Sequence, residues 1–192
     1  MENLSHKFKN KKSGVYFFKS SSPFEFYHIL NNINLEPKEE IFGTLIFPEN
    51  AKTPCPLVIP IHGSAGLRGN HHDHIVNLLE AGIAVFRIHS FESRGIISIV
   101  ENQMAVTLAT MITDAFRGLS LISQHPDIDS NKIGIMGWSL GGSTAFYSAW
   151  KPIIKALTQG GEKFSAHLPL YPGTHIKPNI NEWSDAPMHI LC

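Results

Sequence analysis

Apolar residues fall along this chain in short compact runs and in longer stretches of helical spacing, and from Leu57 onward the two alternate. Leu57-Val58-Ile59-Pro60-Ile61 is a continuous apolar run, the pattern of a strand buried on both faces of a parallel sheet. Ile83 to Ile88, Ile133 to Met136, His167 to Tyr171 and Met188 to Leu191 read as further strands. From Asn70 to Ala81, Ile75, Leu78 and Leu79 share one helical face, and Gly82 supplies a C-terminal cap. Met104, Leu108, Met111, Ala115, Leu119 and Ile122 recur at steps of three and four and predict an amphipathic helix stopped by Pro126. Asp127 to Asn131 reads as a polar turn, Gly141 to Trp150 as a helix, and Lys151 to Phe164 as a linker with some helical character.

Upstream the signal is thinner. Val15 to Phe18 suits a short strand, and Glu40 to Phe47 a strand near the sheet edge that Pro48 ends. Ser22-Pro23-Phe24-Glu25 predicts a helix start, with Ser22 as cap and Glu25 closing a capping box. Met1 to Ser13 is lysine-rich and reads as a poorly ordered basic leader to a domain over residues 14–192. Strands alternating with helices imply an α/β fold, a mainly parallel sheet with helices on both faces. Ligands in such sheets bind beyond the carboxyl ends of the strands. The turns His62 to Gly66, His89 to Gly95 and Trp138 to Leu140 should therefore converge.

Composition narrows the function classes. Sixteen basic and sixteen acidic residues cancel, so no broad field favours nucleic acid or an anionic membrane. Neither a signal peptide nor a membrane-length apolar run is visible, and the expected compartment is the cytoplasm. Cys55 and Cys192 form no disulfide or zinc framework. His71, His72, Asp73 and His74 invite a metal reading, but only His71 and His74 share a helical face, so a solvated helix start is expected and no metal. No Walker loop or dinucleotide fingerprint is present, and no cofactor is expected.

The chemistry centres on Gly137-Trp138-Ser139-Leu140-Gly141, a G-x-S-x-G nucleophile elbow between a buried strand and a helix. Serine on so tight a turn needs small neighbours two residues either side, and the helix N-terminus aims N–H groups where an oxyanion would form. Ser139 is the candidate nucleophile, with the N–H of Leu140 as one oxyanion donor and that of Ser64 or Ala65 as the other. His62 is expected to brace its loop. Arg94 is a candidate grip on an acidic substrate group or, equally, a structural ion pair, and Trp138 is a candidate substrate contact. Asp114, mid-helix, reads as structural. A triad needs a base and its acid after Ser139. His167 and His189 fall in or beside predicted strands, and Asp185 precedes the last strand at its wrong end. That leaves His175, after the Leu170-Tyr171-Pro172-Gly173 turn, as the internal candidate for the base.

His62-Gly63-Ser64-Ala65-Gly66, Phe91-Glu92-Ser93-Arg94-Gly95, Asp114-Ala115, Gly137-Trp138-Ser139-Leu140-Gly141-Gly142 and Tyr171-Pro172-Gly173 together resemble the dienelactone hydrolase-like branch of the α/β-hydrolases, from about Phe17 to the last residue. The resemblance implies ester hydrolysis through an acyl-serine. It also implies a further strand, an acid loop and a catalytic histidine beyond Cys192, so this reads as a C-terminally incomplete domain of impaired activity. Dienelactone hydrolases carry cysteine where Ser139 stands, which points to general esters, and relatives tend to have Asp in place of His89. The expected partner is a small ester or acyl substrate, and oligomeric state is left open. The alternative is a non-catalytic ligand- or partner-binding protein of the same fold. Acyl transfer to an acceptor other than water would look the same in sequence.

Overall fold

The computed structural model describes residues 13–158 and 161–192, so all of the basic leader except Ser13 lies outside the described residues. Six strands form one sheet: β1 (Gly14–Ser20), β2 (Glu39–Ile46), β3 (Cys55–Ile61), β4 (Ala84–Ile88), β5 (Ile128–Trp138) and β6 (Ala166–Leu170), in the order β1-β2-β4-β3-β5-β6. β1 and β2 are antiparallel; β4, β3, β5 and β6 run parallel. The continuous apolar run at 57–61 thus takes an interior place, between β4 and β5. There Leu57, Ile59 and Ile61 are buried. The alternating strand over Glu39–Ile46 lies one place in from the edge. The fold is α/β with a mainly parallel sheet.

Helices α1 (Gly69–Glu80), α2 (Leu108–Ile122), α3 (Leu140–Tyr147) and α4 (Lys151–Leu157) cover the sheet. Side chains along β5 alternate between two cores. Ile133 and Ile135 join the main core with Ala109, Ile112, Ala115 and Phe116 of α2 and Ala145 and Tyr147 of α3. Met136 and Trp138 face the other way, beside Val58, Leu78 of α1, Leu168 and Leu170. That second face is covered less fully, and an apolar trough of about 410 Å³ lies there between Leu78, Met136, Leu168 and Met188.

Three sequence expectations shift. The chain after Ser22 does not start a helix there; helical turns begin further on and include a π-helical turn at His28–Asn32. The Ser22 hydroxyl is drawn to Glu39 and Arg94 instead of capping. Met104 is not part of α2 and is exposed, because Thr107 caps that helix by accepting the N–H of Thr110 at 3.2 Å. Ile128 to Asn131 is not a turn but the first part of β5, where Ile128 is buried and pairs with Cys55 while Ser130 and Asn131 are exposed. The expected strand over Met188–Leu191 pairs parallel to β6: the N–H groups of His189 and Leu191 donate to His167 and Pro169, both at 3.0 Å. Among the described residues no helix is long and apolar enough to cross a membrane.

Candidate active site

Ser139 stands at the junction of β5 and α3 with φ 55° and ψ −113°, a region that costs a non-glycine residue about 1–3 kcal/mol. The surrounding packing over-determines it. Its N–H donates to the carbonyl of Leu170 at 3.0 Å, and its carbonyl accepts the N–H of Ser143 at 2.8 Å. A Cβ on Gly137 would lie 2.1 Å from the Gly141 oxygen, and one on Gly141 only 2.0 Å from the Ile61 oxygen. The glycines two residues either side of Ser139 are therefore demanded by backbone against backbone. The side chain left at the bend is exposed, at the carboxyl edge of the sheet.

Turn 63–66 reaches the same point. It closes through the N–H of Gly66 donating to Gly63 at 3.0 Å, and a Cβ on Gly63 would lie 3.1 Å from the Trp138 oxygen and 3.5 Å from Cβ of Ser139. The backbone N–H groups of Ser64, Ala65 and Leu140 have no hydrogen-bond acceptor among the described residues. His62 braces the loop: its Nδ1 donates to the Gly63 carbonyl at 2.9 Å, and its buried ring packs edge-on to Phe91 at 4.3 Å. Burial lowers the His62 pKa, and Nε2 has no hydrogen-bond partner among the described residues. Through Phe91 the third turn joins the other two. All three turns singled out in the sequence meet.

Two proposed substrate contacts are corrected. The Arg94 side chain is only 8% exposed. Its Nη1 donates to Asp114 at 2.8 Å and to the Ser90 carbonyl at 2.7 Å, Nη2 to Asp114 at 3.1 Å and to Glu39, and Nε to Glu39 at 3.0 Å and to Ser22. Burial works against the guanidinium charge, but Asp114 and Glu39 outweigh it and hold its pKa above the ordinary value. With all three guanidinium nitrogens committed, Arg94 is the structural ion pair and has nothing left for a substrate. Trp138 is buried at 1% exposure, on the α1 side of β5, where His71 stacks on it at 4.2 Å. The alternation that exposes Ser139 turns its neighbour inward. His71 also accepts the N–H of Arg68 at 3.1 Å, closing the start of α1.

His175 is exposed, in a segment pinned to α3 on either side. The Ser143 hydroxyl accepts the N–H of Gly173 at 2.8 Å, and the Tyr147 hydroxyl donates to Ile176 at 2.7 Å. No hydrogen bond joins His175 to Ser139, and none joins any described histidine to it, so the triad geometry expected of a base is not formed by His175. His167 is buried, its Nδ1 bonded to Ala145 at 2.9 Å. Asp185 makes only a 3.8 Å surface pair with Lys151. The sequence reading missed loop 97–104, which is bonded directly to turn 63–66. The Ser64 hydroxyl donates to Gln103 at 3.0 Å, and Ile99 N–H donates to the Ser64 carbonyl at 2.8 Å. Its sequence signal was a set of apolar residues in a loop, with Met104 absorbed into a helical pattern.

The fold recurs in solved structures. A candidate dienelactone hydrolase from Klebsiella pneumoniae subsp. pneumoniae matches with a TM-score of 0.56 at 18% identity, over 91% of this chain. Esterase 2 of Thermogutta terrifontis, phosphoramylated by tabun, matches at 0.55 and 14% over 84%. The fold is that of the α/β-hydrolases. Est1E from Butyrivibrio proteoclasticus also shares it, at a TM-score of 0.50 and 21% identity over 69% of this chain. This hydrolase-fold chain spans 65%, 56% and 47% of the lengths of those three proteins, in the order given. No family profile and no curated protein matches the sequence itself.

Proposed function

We propose that this chain carries the nucleophile and the oxyanion donors of a serine hydrolase acting on carboxylic esters. The observation that carries the reading is Ser139: a non-glycine residue at φ 55° with an exposed side chain, beside a turn in which the N–H groups of Ser64 and Ala65 have no acceptor among the described residues. Oγ of Ser139 attacks the acyl carbon, and the carbonyl π pair moves onto oxygen. The N–H of Leu140 and that of Ser64 or Ala65 hold this oxyanion, each donor contributing about 10²–10³ in rate. Collapse of the intermediate expels the alkoxide and leaves acyl-Ser139, which water hydrolyses. The attacking hydroxyl needs a base to take its proton in the first step, and none of the described histidines is hydrogen-bonded to it. The isolated chain is therefore slow, at roughly the 10³–10⁴ over water that binding and the oxyanion hole supply.

Supplying the base from solution tests this. Hydrolysis of p-nitrophenyl acetate, corrected for the buffer reaction, should rise with added imidazole in the wild-type chain and stay flat in Ser139→Ala. Equal imidazole dependence in the two proteins would assign the turnover to something other than Ser139.

A further inference from the structure

We propose that loop 97–104 is the acyl-chain contact of this site and selects neutral esters with an apolar acyl group; this rests on Ser139 being the nucleophile. The loop is fixed by its inner side. Ile99 is buried at 1% exposure and its N–H donates to the Ser64 carbonyl; the Ser98 hydroxyl reaches the same oxygen at 3.3 Å. A Cβ on Gly66 would lie 2.8 Å from the Ile97 oxygen, so the loop backbone lies directly against the oxyanion turn. With Ile99 turned inward, Ile97 is left 88% exposed, and Val100 and Met104 are both 59% exposed. Three exposed apolar side chains on one loop that is hydrogen-bonded to the turn beside Ser139 offer surface to an apolar ligand.

Charge points the same way. From Gly95 to Thr113 the sequence holds one charged residue, Glu101, which is exposed on this loop and repels a carboxylate. The guanidinium that would attract one, Arg94, is consumed by Glu39 and Asp114. The occupant that fits is an aliphatic or aromatic acyl chain lying on Ile97, Val100 and Met104 while its carbonyl oxygen sits between the N–H groups of Leu140 and turn 63–66. Burying each methylene of such a chain strengthens binding by about three- to fourfold.

Alkylboronic acids test this without needing a general base. Oγ of Ser139 adds its lone pair to the empty boron orbital, its proton passes to solvent, and a tetrahedral boronate anion sits where the tetrahedral intermediate would. Ethyl-, butyl- and hexylboronic acids and a carboxyl-terminated pentylboronic acid would be titrated, with boron NMR reporting the adduct and calorimetry the affinity. Affinity is expected to climb at least about tenfold from ethyl to hexyl. The carboxyl-terminated reagent should bind more weakly than its uncharged counterpart. Ile97→Ser with Met104→Ser, both surface changes, should flatten the chain-length dependence, weakening hexylboronic acid more than ethylboronic acid. No chain-length dependence, an unchanged dependence in that variant, or tighter binding of the carboxylate would overturn the proposal. Ser139→Ala separates the two readings: a tetrahedral boron signal persisting there refutes the nucleophile, whatever the loop does.

Discussion

Gly141→Ala is expected to lower the unfolding free energy by about 3 kcal/mol or more, the upper end of what overpacking costs. The added methyl carbon would lie 2.0 Å from the Ile61 oxygen, 2.6 Å from the Ile61 carbonyl carbon and 2.7 Å from the His62 oxygen. All three are backbone atoms at the end of the interior strand β3, so no side-chain rotation relieves the clash. α3 would have to lift from the sheet, carrying Ser139 with it. Against a typical total of about 5–15 kcal/mol this is a large share. Gly69→Ala is the matched control, since a Cβ there meets nothing within 4 Å, and its effect should be neutral or slightly stabilising. Urea midpoints for the two variants decide it; a Gly141→Ala midpoint at the wild-type value would mean that α3 does not press on β3 as described.

Asp114→Ala should cost about 3–5 kcal/mol, because it strands a buried guanidinium. The Asp114 carboxylate is fully buried and receives Arg94 and the Ser20 hydroxyl, and burial raises its pKa against the pull of Arg94. Replacing both partners, Arg94→Met with Asp114→Leu, removes the desolvated charges together and should cost less than Asp114→Ala alone. Additive losses among Arg94→Met, Asp114→Leu and the double variant would show that the pair is not coupled. The turn carrying Phe91 is tied to this pair through the Ser90 carbonyl, so the loss should also loosen the loop that holds His62.

How much of this was visible beforehand follows from sequence distance. The interior strand at 57–61 and the strand-to-helix bend at 137–141 are local patterns, each fixed by neighbours a few residues away, and each is where the pattern put it; the helix read from Met104 to Ile122 is there from Leu108 onward. The convergence of the three turns was legible because parallel strands share one carboxyl edge. Partners brought together by the fold were not. Arg94 meets Glu39 across 55 residues and Asp114 across 20, and nothing in Phe91-Glu92-Ser93-Arg94-Gly95 says that both will be there. The same network takes the Ser22 hydroxyl from its predicted cap. Trp138 was misread because a continuous apolar strand carries no alternation to tell its two faces apart. Met104 matched the helical period, but the cap at Thr107 set the start of α2 four residues later.

The most direct measurement is the site of covalent capture by an alkyl fluorophosphonate, read by peptide mass spectrometry. Phosphorus is attacked by the same hydroxyl that would attack an ester carbonyl, and the phosphoryl oxygen takes the oxyanion position. The reagent should modify Ser139 slowly but at no other serine, and Ser139→Ala should remain unmodified. Modification spread over several serines, or equal in the variant, would contradict a nucleophile at the bend between β5 and α3.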